Sequence, residues 1–585
     1  MCGIAALFAY DGDAPAVRRE ELESINERMR PRGPDAGGTW ISDDSRVGLA
    51  ARRLAIIDLT AEGDQPLTDT SGELVIVFNG EIYNHRELRA RLVAGGARFH
   101  STSDTEVLLR LYRRDGERMV DLLRGMYAFA IWDTRERRLF VARDPYGIKP
   151  LYFADDGQTF RAASQVKALL AGGGVSRTRD AAGCTGFFLT GSVPEPFTTY
   201  EAIRTVRAGT SFFVDAGGRV PERRHYSIAA TFRRGDGQRS IARLLTPEEM
   251  LRERVVESIE HHLISDVPIG AFLSSGIDST ALVALAMERG GKPLHTVTTT
   301  FDEYRGTEDD EAPLAERFAR ERGASHTTRL VTRTELLDDL PRIFEAMDQP
   351  TIDGVNTWFV SKATAELGLK VAISGLGGDE LFGSYPAFRE LPRIVRIARN
   401  PLAARVAAAT SRNPKARALP RLGGSWAGAY LVKRGLFMPD ELPPLLGADV
   451  VHEGLRRLDI LWRIESQLAP DPSSDFGRVA TLEASLYMRN QLLRDTDWAS
   501  MAHSLEVRTP LVDAALLRQI VPLLLEYGSR CKQAFAGAPS RPLPPWLEQR
   551  RKTGFTTPLV RWLDLPPDGT STRMRSWAKV VFESA

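Results

Sequence analysis

A change of rhythm near residues 221–245 constrains this chain more than any single residue does. Up to about Val220 it reads as short strands with few helices: strands over 3–10, 47–57, 74–78, 128–132, 139–142 and 151–154, helices over 18–30, 85–93 and 104–113. The turns Asp133-Thr134-Arg135-Glu136 and Asp155-Asp156-Gly157 suit antiparallel hairpins, so this half is predicted to be α+β with a mostly antiparallel sheet. Residues 227–245 are polar and Arg/Gly-rich, and 221–245 is expected to be a linker. Thr246-Pro247-Glu248-Glu249 then offers an N-cap, Pro at N1 and acids in the first turn. Past it, strands over 267–273, 294–301, 326–331 and 370–374 alternate with helices over 278–289, 310–322 and 334–347. Such alternation predicts a parallel sheet with helices on both faces. Beyond Asp379 the pattern is mainly helical. The expected units are 2–220, the linker, and 246–585.

Composition excludes several classes. At roughly 150 residues per domain the length allows about four domains, but two large ones fit equally well. With 77 Lys+Arg against 76 Asp+Glu, the net charge of +1 gives no global reason for a nucleic-acid or membrane partner, and neither is expected. Cys2, Cys184 and Cys531 are too few and too far apart for a disulfide framework or a Cys-rich zinc site. No apolar run approaches the roughly 20 residues of a membrane span, and the N-terminus lacks the basic region and cleavage site of a signal peptide. A cytoplasmic location is expected.

Cys2 is the first chemical clue. Removal of Met1 would leave a thiol and a free α-amine on one residue, and an amine of pKa roughly 8 can take the thiol proton. Alone, such a cysteine is incidental. It is followed, in one order, by Arg32-Gly33-Pro34-Asp35, Arg53-Leu54-Ala55-Ile56, Asn79-Gly80-Glu81-Ile82-Tyr83-Asn84, Ser103-Asp104 and Arg143-Asp144-Pro145-Tyr146-Gly147. This set resembles the class II glutamine amidotransferase domain, an N-terminal-nucleophile amidohydrolase with an αββα sandwich. The resemblance implies that Cys2 attacks the glutamine side-chain amide while Asn79 and the Gly80 amide hold the oxyanion, where one donor is worth about 10²–10³ in rate. It also implies that Arg53 receives the glutamine α-carboxylate, Asp104 its α-ammonium, and that Glu81 helps position it. Without it, Arg53 and Asp104 read as surface charges and Asn-Gly as a hairpin turn.

In the second half, Leu273-Ser274-Ser275-Gly276-Ile277-Asp278-Ser279 runs from a strand through a small-residue loop into a helix, which aims backbone amides at an anion. It resembles the pyrophosphate loop of N-type ATP pyrophosphatases, with Ser275 in place of the first glycine. Ser374-Gly375-Leu376-Gly377-Gly378-Asp379-Glu380 repeats the geometry after another strand. Asp278 and Asp379 are natural Mg²⁺ ligands, since Mg²⁺ usually takes one or two carboxylates plus phosphate oxygens; a plainer reading makes Asp379 and Glu380 acids favoured at a helix start. With 500–510 (Ser-Met-Ala-His-Ser-Leu-Glu-Val-Arg-Thr-Pro) and Lys552-Thr553-Gly554-Phe555, the chain resembles the asparagine synthetase family over nearly its whole length. That resemblance implies an α/β parallel-sheet ATP pyrophosphatase domain with a helical C-terminal part, ammonia passing through an internal tunnel, and a carboxylic acid adenylated by ATP with Mg²⁺ before ammonia displaces AMP. It places Leu273, Thr299, Ser374 and Gly375 against ATP, and Lys532 at the phosphoryl transition state, although Lys532 lies closer to Gly554-Phe555 than the family pattern has it. The implied partners are L-glutamine, ATP and aspartate or another acid; a homodimer is compatible with it.

Leu376 departs from the acid expected at its position, and leucine can neither take a proton nor hold an ammonium ion. Gln165 stands where Glu is usual, near the domain junction. The stretch 389–434 holds eleven Arg and Lys against one acid, Glu390. At helical spacing these form a solvated face; the sharper alternative is docking of an acidic carrier or polyanionic substrate. Three readings stand: a glutamine-dependent asparagine synthetase, an amidotransferase for a different carboxylate, which Leu376 favours, and a non-catalytic relative, against which the joint presence of Cys2, Asn79, Asp104, Asp278 and Asp379 argues.

Overall fold

The computed structural model describes residues 2–236, 246–289, 294–411, 413–548, 550, 557–566 and 574–584. Two antiparallel sheets build the first half. One runs through Ile203–Thr205, Tyr152–Asp155, Thr159–Ala163, Cys2–Ala9, Val47–Arg53 and Ala36–Ile41. The other runs through Gly218–Arg219, Thr210–Asp215, Arg138–Arg143, Gly125–Asp133, Leu74–Ile82 and Leu67–Thr68.

Period-2 alternation explains how they stack. Ile4, Ala6 and Phe8 meet Val75, Val77, Ala130 and Trp132 between the sheets. Their neighbours Ala5, Leu7 and Ala9 point the other way, onto Leu22 and Ile25 of helix Arg19–Arg28 and onto Val166 and Leu169 of helix Val166–Ala171. Leu74, Ile76 and Phe78 likewise leave the inter-sheet core for Leu88 and Leu92 of helix His85–Ala94 and Val107, Leu108 and Leu111 of helix Asp104–Asp115. Helix, sheet, sheet, helix follow one another, the αββα layering of an N-terminal-nucleophile amidohydrolase.

The second half has one five-stranded parallel sheet in the order Ser325–Val331, His295–Phe301, Ile269–Phe272, Val371–Ile373, Glu506–Arg508. Chain order reverses between Ile269–Phe272 and Val371–Ile373, and in open α/β sheets the crevice beyond such a switch point is where ligands bind. The loops leaving these two strands are 273–276 and 374–377, so topology alone brings both candidate phosphate loops to one place.

Two expectations need correction. The strand expected over 47–57 stops at Arg53, where the chain bends into a loop with Asp58 at a left-handed φ of 57°. The expected linker is ordered as far as Asp236: Arg223–Arg224 pairs with Thr210–Asp215, and Ile228–Asp236 is a helix. Its arginines face outward while Ile228, Ala229 and Phe232 face the core. Gly235 meets helix Ala514–Tyr527 so closely that a Cβ would sit 2.3 Å from a Val521 methyl. Residues 237–245 lie outside the described residues. The strand Glu506–Arg508 was not anticipated, being three residues inside a helical stretch.

Candidate functional site

Cys2 opens its strand and lies opposite Arg53 in the register. Its backbone N–H donates to Asn79 Oδ1 at 3.1 Å. That bond turns the Asn79 carboxamide so that its Nδ2, fully buried, has no hydrogen-bond partner. An orphaned buried donor is costly unless a ligand uses it. At Gly80, a Cβ would come 2.1 Å from the Met126 carbonyl oxygen, so the strand requires glycine there. Burial pushes the Cys2 thiol up, with the Leu54 amide and Arg53 working against it. Cys2, Arg53, Gly80, Glu81 and Asp104 surround a cavity of about 20 Å³. Arg53 donates to the Thr60 carbonyl and Asp64 Oδ1 at 2.8 and 2.7 Å and to the carbonyls of Ile57 and Asp58, so its fork holds the 57–64 loop. Asp104 starts helix Asp104–Asp115 behind the Ser103 cap and accepts from the Ile82 amide at 2.9 Å.

The second group gathers around a crevice of about 500 Å³ at the switch point, lined by Leu273, Ser274, Ser275, Gly276, Asp278, Ser279, Thr299, Ser374, Gly375, Leu376, Asp379 and Lys532. Ser274 Oγ and Ser279 Oγ bond each other at 2.8 Å, closing the first loop. The two loops interlock: a Cβ on Gly375 would reach 2.8 Å from the Ser279 amide nitrogen, and one on Gly378 would strike the Asp278 carboxylate. Ser275 Oγ and Thr299 Oγ1 are buried without partners. Lys532 Nζ donates to Asp278 and, at 3.3 Å, to Asp379 Oδ1. Burial opposes the ammonium, but the two carboxylates outweigh it and raise its pKa. Among the described residues no group of three or more His, Cys, Asp or Glu side chains gathers to hold a metal. Lys532 between two carboxylates marks a place suited to positive charge, so the donors fit Mg²⁺ shared with phosphate oxygens. Lys552-Thr553-Gly554-Phe555 lies outside the described residues.

A profile of the glutamine amidotransferase domain matches residues 1–226, and one of asparagine synthase matches 250–574. The asparagine synthetase [glutamine-hydrolyzing] 1 of Bacillus subtilis (strain 168) is 30% identical over 602 residues, 100% of this chain and 90% of that protein. The chain belongs to the asparagine synthase family. Another relative in this family, the amidase chry2 of Gibberella zeae, is 32% identical over 418 residues, 66% of this chain and 60% of that protein. The solved glutamine phosphoribosylpyrophosphate amidotransferase of Bacillus subtilis aligns over 56% of this chain and 81% of that one, at 15% identity and TM-score 0.30; the fold rests on the sheets described above. Family membership brings glutamine-dependent amidation with it.

Several residues of this family member were not singled out in the sequence. Arg32 makes a bidentate pair with Asp497 at 2.7 and 3.0 Å and donates to the Cys2 carbonyl at 3.3 Å. Glu81 Oε1 lies 3.4 Å from Arg508, which binds Glu506 at 2.5 Å and the His262 carbonyl at 2.7 Å. All are buried, and they run from the Cys2 cavity to the edge strand of the parallel sheet. Arg32, Glu506 and Arg508 sit inside motifs quoted above, and only Glu506 and Arg508, which flank Val507 after Leu505, carry a sequence signal, charges alternating with apolar residues. In the crevice, Glu380 is buried and accepts from Tyr385 Oη at 2.9 Å, and burial followed by the charge of Asp379 pushes its carboxyl up to about 8. Gln165 caps nothing with its side chain: the second half's Asp348 accepts from the Val166 and Lys167 amides at 2.8 and 3.0 Å.

Proposed function

We propose that this protein is an asparagine synthetase-type ligase that amidates a carboxylic acid with nitrogen from glutamine, using ATP and an acyl-adenylate. The observation that carries the reading is the orphaned Asn79 Nδ2 beside Cys2, in a chain that also brings two phosphate-type loops, Asp278, Asp379 and Lys532 to one crevice. In the first half, the Cys2 thiolate attacks the glutamine amide carbon after its proton has passed to the freed α-amine. The oxyanion takes hydrogen bonds from Asn79 Nδ2 and the Gly80 amide, ammonia leaves, and water releases glutamate from the thioester. Glu81 and Asp104 favour the ammonium end of glutamine; its carboxylate would exchange with Asp64 on the Arg53 fork.

In the second half, a carboxylate oxygen attacks the α-phosphorus of ATP and pyrophosphate departs. The amides of the 274–277 and 375–378 loops receive the phosphates, and Lys532 balances charge on the phosphoryl group. Asp278 and Asp379 would hold Mg²⁺, which supplies neutralisation of the pyrophosphate. Ammonia then attacks the acyl carbon, and AMP leaves with the bonding pair. Aspartate is the first acceptor to try. Leu376, half-buried on the crevice wall, favours a second reading in which the acceptor is less polar. AMP release with glutamine, measured across a panel of carboxylic acids, tests both: no acid-dependent AMP would overturn the ligase reading, and a strong preference for another acid would replace aspartate.

A further inference from the structure

Among the described residues the arm 387–434 contributes no lining residue to either site, and its Arg434 reaches the crevice wall over the Tyr385 ring. Its helices Ala387–Ala398, Pro401–Ala409, Pro414–Leu422 and Trp426–Arg434 follow Ser384 and Tyr385 of the crevice wall. No Asp or Glu occurs between Glu390 and Asp440, although the whole chain is nearly neutral. Lys433 pairs with Glu390 and Arg434 with Glu483. Arg393, Arg396, Arg399, Arg405, Arg417 and Arg421 are exposed and have no ion-pair partner among the described residues.

Aliphatic side chains stand out among these arginines: Leu402 is 72% exposed, Val406 56% and Ile397 48%. Leu402, Arg405, Val406 and Ala409 share one face of helix Pro401–Ala409, which buries only Ala404. A solvated basic face accounts for the arginines and leaves the aliphatics unexplained. An acidic protein would satisfy the arginines, but it would need a shaped recess for Leu402 and Val406. A phospholipid surface offers anions above and hydrocarbon just beneath, with no shape to match. Among the described residues no helix is long and apolar enough to cross a membrane, so such contact would be peripheral. We propose that this arm docks the protein on an anionic lipid bilayer, with Leu402 and Val406 at the headgroup–acyl boundary and the arginines on phosphates.

The test is co-sedimentation of the full chain with phosphatidylcholine vesicles, with and without phosphatidylglycerol, at low salt. Binding should require phosphatidylglycerol. Arg396→Gln/Arg399→Gln/Arg405→Gln should lower the partition coefficient on the order of 100-fold, at roughly fivefold per arginine. Leu402→Ser/Val406→Ser keeps the charge and should lower it about tenfold. AMP formation from free ammonium should survive in both variants, which reports an intact second half. Absence of binding, or equal binding to pure phosphatidylcholine, overturns the proposal. Binding that falls in the arginine variant but not in the Leu402/Val406 variant also overturns it, in favour of an acidic macromolecule.

Discussion

Around Cys2 the protein leaves a cavity of about 20 Å³, whereas the crevice between the 273–276 and 374–377 loops holds about 500 Å³. Apart from Asp104 at a helix start, the named residues of the smaller site are strand residues whose directions the sandwich fixes: Cys2 and Arg53 face each other across one ladder, and Asn79 and Gly80 lie on the adjacent sheet. The larger is made of loops at a switch point, and its volume is in the range of pockets that hold cofactor-sized ligands. Strands that fix every donor leave little freedom to change a ligand. Loops over a crevice can exchange one wall residue, as at Leu376, while the phosphate end stays intact. On the proposed reading, binding of the nitrogen donor and choice of the acceptor would have separate structural origins.

The sharpest way to break this division is to disable each site alone. Cys2→Ala should abolish glutamine hydrolysis and leave AMP formation from free ammonium largely intact, while Asp278→Asn and Asp379→Asn should do the reverse. The expected loss in each affected reaction is about 10²-fold or more, since a neutral amide is a much weaker partner for Mg²⁺ and phosphate charge. Steady-state assays of glutamate and AMP on the same preparations check it. Loss of both reactions in a folded single variant would mean that the sites are not separable.

One of the links between the halves is Arg508, which pairs with Glu506 of its own strand and lies 3.4 Å from Glu81 of the first half. Arg508→Met would leave the buried Glu506 carboxylate without its ion-pair partner at 2.5 Å, at an expected cost of about 3–5 kcal/mol. The exposed pair Arg456–Glu453 is the control, and Arg456→Met should leave both activities' midpoints unchanged. Heat inactivation of the two activities would be followed in parallel. Both should fail earlier, and together, in Arg508→Met; an unchanged glutaminase midpoint would show that the first half does not depend on this link.

Much of this was legible beforehand because it depends on local pattern. The strand–helix alternation placed loops 273–276 and 374–377 after strands, and the sheet order then brought them together. The ion pairs between halves were not legible, because Arg32 and Asp497 are distant in sequence and either alone reads as a surface charge. Helix Ile228–Asp236 was hidden for a related reason: it ends in Arg233-Arg234-Gly235-Asp236 and runs on into a polar stretch, and its need for Gly235 arises only against Val521.

A weaker perturbation of the same interface is acid. His262 packs at a tilt against Tyr83 of the other half, ring centroids 4.0 Å apart, and its Nδ1 lies 2.8 Å from the Ser258 carbonyl oxygen. Burial, aided by the nearby Arg508 and Arg124 and opposed by Asp513, lowers its pKa to about 3. The unfolded chain therefore binds a proton at this residue below about pH 6.5 while the native protein does not. Its contribution to stability is present above that pH and is lost as pH falls towards 3, with a slope of at most about 1.4 kcal/mol per unit. His262→Phe should flatten the thermal midpoint against pH between 6 and 4; an unchanged slope would assign the acid sensitivity elsewhere.

The smallest expected effect concerns Leu376, where the tolerance of the crevice is tested directly. Its backbone N–H donates to Ser374 Oγ at 3.3 Å, and its half-buried side chain packs on the core at the crevice wall. An acceptor with hydrocarbon at that point would gain about 25 cal/mol for each Å² removed from water. Leu376→Glu places a carboxyl beside apolar neighbours and near Asp379 and Glu380, so its pKa should be raised and it should act poorly as a charged group. The variant is therefore expected to change kcat/KM for aspartate by less than about tenfold. Glu380, buried four residues further on with a pKa of about 8, is the neighbouring acid that could hold a proton or ammonium ion instead. Kinetics with saturating ATP and ammonium, comparing aspartate with less polar acids, separate the two roles. Preference for an apolar acid in the wild type, weakened in Leu376→Glu, would make Leu376 a specificity residue. Efficient aspartate turnover with no better acceptor would leave it as packing beneath the loop, with the proton chemistry at Glu380.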